Sequence, residues 1–177
     1  MGSIVAQIGK LSGCRVIGIV GGQEKQEYLT KKLGLDGAID YKINNTQELI
    51  QKMCPNGVDV YFDNVGGYIT DAVIDNINNF ARIVICGQIS QYSGGLDTPN
   101  IGPRFLHKML YTRSTIQGIL SRDYGHRDAE MHLAMIPWLN ENKITYEQTI
   151  IDGFEQLPNA LNMLFHGKNT GKLLVSA

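Results

Sequence analysis

Four short apolar runs in the chain each end in small or polar residues, placed where a backbone or a side chain could meet a ligand. These endings are Gly21-Gly22, Tyr41-Lys42, Asn64-Val65-Gly66-Gly67 and Cys86-Gly87-Gln88. At the first, a fold that binds an unphosphorylated ribose would carry Asp or Glu to accept a bond from the 2′-hydroxyl. Here glycines stand in that place, and Lys25 follows one helical turn later. An ammonium suits a 2′-phosphate, which a carboxylate would repel. Glu24 could take the carboxylate's role if the turn is read differently, and Lys25 also reads as an ordinary solvated helix lysine. Tyr41 could border a base or touch a phosphate, and it also fits an ordinary rim position. Asn64 ends its run beside Gly66-Gly67, which permit close backbone approach. Asp63 reads as a helix cap or the holder of a backbone turn. Gly87 opens a polar stretch from Gln88 to Tyr92 that is either a ligand loop or a plain strand-to-loop transition.

Other chemistries find little support. The four histidines (His107, His126, His132 and His166) lie in helix or loop contexts without partners at ligand spacing. The three cysteines, Cys14, Cys54 and Cys86, form no CxxC pair or metal-ligand grouping, and scattered thiols suit a reducing, cytoplasmic setting. Gly167-Lys168-Asn169-Thr170-Gly171-Lys172 has the composition of a phosphate loop but precedes a strand, whereas a Walker A loop follows one. A G-x-G-x-x-G turn is also missing. Only Gly2, at the start of the first helix, could be the last glycine of such a turn.

The elements that must position these residues alternate. Ile4, Val5, Ile8 and Leu11 mark a helix closed by Ser12-Gly13, and residues 15–20 then form a strand. A helix from Gln23 carries Leu29 and Leu33 and ends at Gly34, ahead of a strand over 37–41. A helix over 46–53 stops at Cys54-Pro55-Asn56-Gly57, and residues 58–64 read as a buried strand. Ile69, Val73 and Ile77 form the next helical stripe, followed by a strand over 81–87. Beyond a Gly/Pro/Ser-rich stretch, 90–103, come a helix near 104–110 and a strand near 115–120. A helix over 129–141 should be kinked by Pro137. A strand near 147–151, a helix with Pro158 in its first turn, and the strand KLLVS complete the order. Apolar strands joined by helical crossovers imply an α/β fold, a doubly wound parallel sheet with helices on both faces.

The 177 residues suffice for one domain with a sizeable core. Sixteen Lys+Arg against 17 Asp+Glu leave a net charge of -1, so no basic field for nucleic acid or an acidic membrane is expected. No apolar run approaches membrane-spanning length, and MGSIVAQIGK lacks the order of a secretory signal.

Six segments occur here in a familiar order: GSIVAQIGKLSGCRVIGIVGG, EKQEYL, IDYK, VDVYFDNVGG, CGQISQY and GKNTGK. In them the chain resembles the zinc-independent medium-chain dehydrogenase/reductases, in the branch of the prostaglandin reductases and 2-alkenal double-bond reductases. VDVYFDNVGG together with CGQISQY is the most specific pair. The resemblance covers the whole chain but only about the C-terminal half of a family member. It implies a Rossmann-like NADP-binding domain over 1–177, with residues from about 145 returning toward an N-terminal GroES-like domain that this chain lacks, as it lacks the first strand of the sheet. It also implies an NADPH-dependent oxidoreductase, needing no metal, that reduces the C=C bond of small enones and enals.

Carried over residue by residue, the resemblance makes Gly2 the last glycine of the pyrophosphate turn, and Lys25 with Tyr41 the pair for the 2′-phosphate. Asn64 becomes a cofactor contact. Cys86, Gly87, Gln88, Ile89, Ser90, Gln91 and Tyr92 become the loop beside the nicotinamide ribose. Tyr92 is then the catalytic candidate, its hydroxyl positioning or polarising the substrate carbonyl. Ile119, Leu120 and Ser121 fall where the family passes the nicotinamide, with Ile119 and Ser121 departing from its pattern. Asn169 matches a late asparagine near the cofactor. A missing central strand would expose two ladder edges, so weak turnover and a homodimer or larger assembly are expected. The alternatives are a non-catalytic nucleotide-binding or assembly module, and a quinone oxidoreductase-type reductase. A Rossmann-like methyltransferase fits the alternation but gives no reason for Lys25 with Tyr41.

Overall fold

The computed structural model describes residues 1–43, 45–92, 101–167 and 169–176. The fold is α/β, and by contacts it divides into two compact units, one of Met1–Ala38 with Ala134–Ala177 and the other of Ile39–Leu133.

The first unit opens with helix α1 (Gly2–Leu11), followed by strand β1 (Ile17–Val20). Gly13 takes φ +80°, and the N–H groups of Gly13 and Cys14 close the helix on Lys10 O and Gly9 O. Lys10 in the last turn pairs with Asp36 at 2.8 Å. That bond and the Val16 N–H hold the Asp36 carboxyl below its ordinary range. Helix α2 (Gln23–Glu27) runs into a π-helical turn (Tyr28–Lys32), and Gly34 at φ +68° ends the run where the sequence places its end. Leu29, Leu33 and Leu35 form a core against Ala6, Val16, Val20, Tyr28 and Ala38. Gly18 makes that packing possible: a Cβ there would lie 2.4 Å from Leu29 Cδ1. Strand β2 (Gly37–Asp40) pairs with β1. The buried Gln7 amide accepts from Thr145 N and donates to Thr145 O, tying α1 to the segment ahead of strand β6 (Gln148–Asp152).

The second unit holds helix α3 (Thr46–Met53), capped by the Asn45 side chain, and strand β3 (Val58–Asp63). Helix α4 (Tyr68–Ile74), strand β4 (Ile77–Ile85), the short helix α5 (Ile89–Tyr92), helix α6 (Leu106–Thr112) and strand β5 (Thr115–Gly118) follow. β3, β4 and β5 pair in that order, all parallel. Ile39, Ile50, Ile69, Val73, Ile74 and Ile83 form the buried apolar set. Helix α7 (Asp128–Asn140) is unbroken through Pro137, and helix α8 (Leu157–Phe165) precedes strand β7 (Lys172–Ser176), which pairs in parallel with β6.

Two expectations need correction. Ile77 belongs to β4 and not to the helical stripe, because Asn76 closes α4, its N–H bonding Val73 O and its side chain bonding Ala72 O. β3 is not a buried strand throughout: Val60 is 62% exposed, although Asp63 at its end is fully buried. Only β4 flanks it among the described strands. Of the Gly/Pro/Ser-rich stretch, residues 93–100 lie outside the described residues.

Among the described residues the strands pair in three separate sheets, β1 with β2, β3 to β5, and β6 with β7.

Candidate functional site

In the second unit the site is assembled at the carboxyl ends of the parallel strands. Tyr61 and Asp63 alternate along β3 and so share one face. The buried Asp63 carboxylate accepts from Val65 N and Gly66 N, both at 2.9 Å, from Thr70 Oγ1 at 2.6 Å and from the Tyr61 hydroxyl at 3.2 Å. These bonds curl residues 63–66 into a tight turn ahead of α4 and confirm Asp63 as the holder of a backbone turn. Burial pushes the Tyr61 phenol far up, opposed by its contact with Thr70 and reinforced by the Asp63 charge, so it stays a neutral donor.

The same residue ties in the second loop. Asp63 O accepts from Cys86 N at 2.7 Å and from Gly87 N at 3.3 Å. Ser90 Oγ and Ser90 N both donate to Val65 O, at 2.6 and 3.0 Å. The two loops interlock through glycines. A Cβ at Gly87 would sit 2.6 Å from Asn64 Oδ1, and one at Gly66 would sit 2.8 Å from Gln88 Oε1. Asn64 and the loop from Cys86 to Tyr92 are thereby brought side by side.

Two polar groups lie on this platform. The Tyr92 hydroxyl, on a side chain 48% exposed, accepts from Gln88 N at 3.1 Å. A phenol oxygen that accepts an N–H becomes a better donor through its own hydrogen. The buried Gln91 Nε2 has no hydrogen-bond partner among the described residues, a condition that costs free energy unless something else satisfies it.

Tyr41 follows β2 and packs edge-on against Tyr68, with ring centroids 6.5 Å apart. Tyr68 opens α4, and its phenol is pushed up by burial and then by Tyr41. Ile119 continues from β5 and bonds Ile85 O at 2.9 Å, while Leu120 and Ser121 begin an exposed 3-10 turn. Tyr68, Thr70 and Tyr61 were not singled out from the sequence. The Tyr61-x-Asp63 alternation was the available signal for one of them.

The remaining candidates lie in the first unit. Gly2 opens α1, where a Cβ would meet nothing within 4 Å. Lys25 Nζ donates to Gly167 O at 2.5 Å. Asn169 Nδ2 donates to Gly171 O at 3.0 Å, within the turn that follows Gly167. Among the described residues no group of three His, Cys, Asp or Glu is placed to hold a metal ion, and no helix is long and apolar enough to cross a membrane.

A parallel α/β fold whose polar residues gather at the strands' carboxyl ends has the layout of a nucleotide-binding fold. Residues 1–141 match the zinc-binding dehydrogenase family, and the chain belongs to it. Within that family the chain sides with the zinc-independent reductases. It is 41% identical over 178 residues to the NADPH-dependent curcumin reductase of Escherichia coli (strain K12), covering 99% of this chain and 52% of that protein. It is 39% identical over 175 residues to prostaglandin reductase 1 of Oryctolagus cuniculus, covering 97% of this chain and 49% of that one. The crystal structure of CurA from Vibrio vulnificus in complex with NADPH superimposes with a TM-score of 0.93 at 44% identity, over 99% of this chain and 53% of that one. The chain thus spans about half the length of the relatives it matches.

Proposed function

We propose that the chain is the cofactor-binding domain of an NADPH-dependent reductase that saturates the C=C bond of α,β-unsaturated ketones and aldehydes. The likeness over nearly the whole chain to a relative crystallised with NADPH carries this reading. The residues also fit the group. The buried Gln91 amide has no acceptor among the described residues and is available to donate, while Gly66 and Gly87 let the Gln88 and Asn64 side chains pack close between the two loops.

In this reading the first turn of α1 at Gly2 faces the pyrophosphate, and Lys25 and Tyr41 hold the 2′-phosphate. Asn64, the loop from Cys86 to Tyr92, Ile119 to Ser121 and Asn169 line the ribose and nicotinamide. NADPH supplies the hydride that adds to the substrate's β-carbon. Tyr92 donates its hydroxyl hydrogen to the substrate carbonyl, stabilising the negative charge that collects on that oxygen. A solvent proton at the α-carbon completes the saturated product. The domain spans residues 1–177, and from about residue 145 it runs back toward the other wall of the substrate cleft. Since these residues match about half the length of the relatives, turnover by them alone is expected to be slow.

Incubation with NADPH and 2-nonenal, followed by product analysis, tests the reaction class. Slow formation of nonanal is expected, and it should fall about 100-fold or more in Tyr92→Phe, which removes the carbonyl donor. Formation of 2-nonen-1-ol would show carbonyl reduction and contradict the proposal.

A further inference from the structure

We infer that the turn at Gly167 positions Lys25 and so determines preference for a 2′-phosphorylated dinucleotide; this rests on the function proposed above. Lys25 lies on α2, just past the end of β1, and its Nζ reaches Gly167 O at 2.5 Å, 142 residues away in sequence. A lysine stem is flexible, and its ammonium is a compact charge with several donors. A carbonyl is neutral, so it orients the ammonium without cancelling the charge that a phosphate needs.

The carbonyl is itself held from both sides. Gly167 N bonds Leu164 O at 3.2 Å, and the His166 ring and backbone N–H both engage Asn162 O, which fixes the turn to the end of α8. Beyond it, Thr149 Oγ1 donates to Thr170 O at 2.8 Å and accepts from Thr170 N at 3.2 Å, which fixes the following residues to β6. Gly167 takes φ +60°, a conformation that suits glycine and, among side-chain residues, asparagine best. A Cβ at that position would lie 3.9 Å from Lys25 Nζ, so the turn and the ammonium are in contact distance. NADH carries a hydroxyl where NADPH carries a phosphate, so the position of Lys25 matters to one dinucleotide and not to the other.

Dissociation constants for NADPH and NADH, measured by fluorescence titration of the full chain, test this. Gly167→Val should weaken NADPH about 5-fold or more and leave NADH within about 2-fold, while Gly167→Asn keeps both near wild type. In a Lys25→Ala background, Gly167→Val should no longer affect NADPH. If the valine variant fails to fold, Gly167→Ala is read in the same way. Equal weakening of both dinucleotides, an unchanged NADPH affinity, or an effect that persists without Lys25 would overturn the inference. A wild-type chain that binds neither dinucleotide, or binds both alike, overturns the function proposed above and this inference with it.

Discussion

Asp63 concentrates more of the site's architecture than any residue that would touch a ligand. Its carboxylate, fully buried, takes four donors, and its carbonyl takes two more from the neighbouring loop. Removing it would leave two backbone N–H groups, the buried one of Gly66 and the part-buried one of Val65, and two hydroxyls without their acceptor. Asp63→Ala should therefore cost about 3 kcal/mol or more, read as a lowered urea midpoint. Asp63→Asn keeps an acceptor for the backbone groups, and the hydroxyls of Tyr61 and Thr70 can turn to accept its amide, so it should cost markedly less. An alanine variant as stable as wild type would show that the turn does not depend on the carboxylate. Tyr92 and Gln91 belong to the same platform but carry no such structural burden. Tyr92 has only the Gln88 N–H on it, and Gln91 has its amide unpartnered among the described residues. That division between support and contact is what a preorganised site requires.

At the scale of elements, most boundaries were legible because local signals agreed. The strand KLLVS, the end of the α2 run at Gly34 and the Asn45 to Met53 helix were readable from glycines, caps and apolar periodicity. Ile77 was misread because a spacing of four residues fits a helix, while the Asn76 side chain that ends α4 gives no periodic signal. The Lys25–Gly167 contact was invisible for a different reason. It joins residues 142 apart, and nothing local in either segment announces the other. The strand edges raise a further consequence. β3 has no described partner on one side, with Val60 exposed, and all four residues of β5 at the other edge are exposed. Leu106, Leu110 and Tyr111 on α6 add apolar surface, each more than 70% exposed. Open edges beside apolar surface favour association. Sedimentation should give a dimer or larger species, whereas a monomer at micromolar concentration would contradict the argument.

At the scale of the molecule, the described strands pair in three groups, β1 with β2, β3 to β5, and β6 with β7. β3 to β5 run parallel, as the strands of a doubly wound sheet do. The crevice used by ligands in such sheets opens at the carboxyl ends of the strands, and there the described residues gather Tyr41, Asn64 and the loop from Cys86 to Tyr92. The chain matches the zinc-binding dehydrogenase family and resembles a relative crystallised with NADPH. The central claim is that these 177 residues carry a site for a 2′-phosphorylated dinucleotide. Equilibrium titration of the wild-type chain and of Lys25→Ala with NADPH and NADH tests it most directly. The account predicts tighter binding of NADPH by wild type, about 10-fold or more, and loss of that preference in Lys25→Ala with NADH affinity unchanged. Equal affinity for the two dinucleotides in the wild-type chain, or a preference that survives the loss of Lys25, would contradict it.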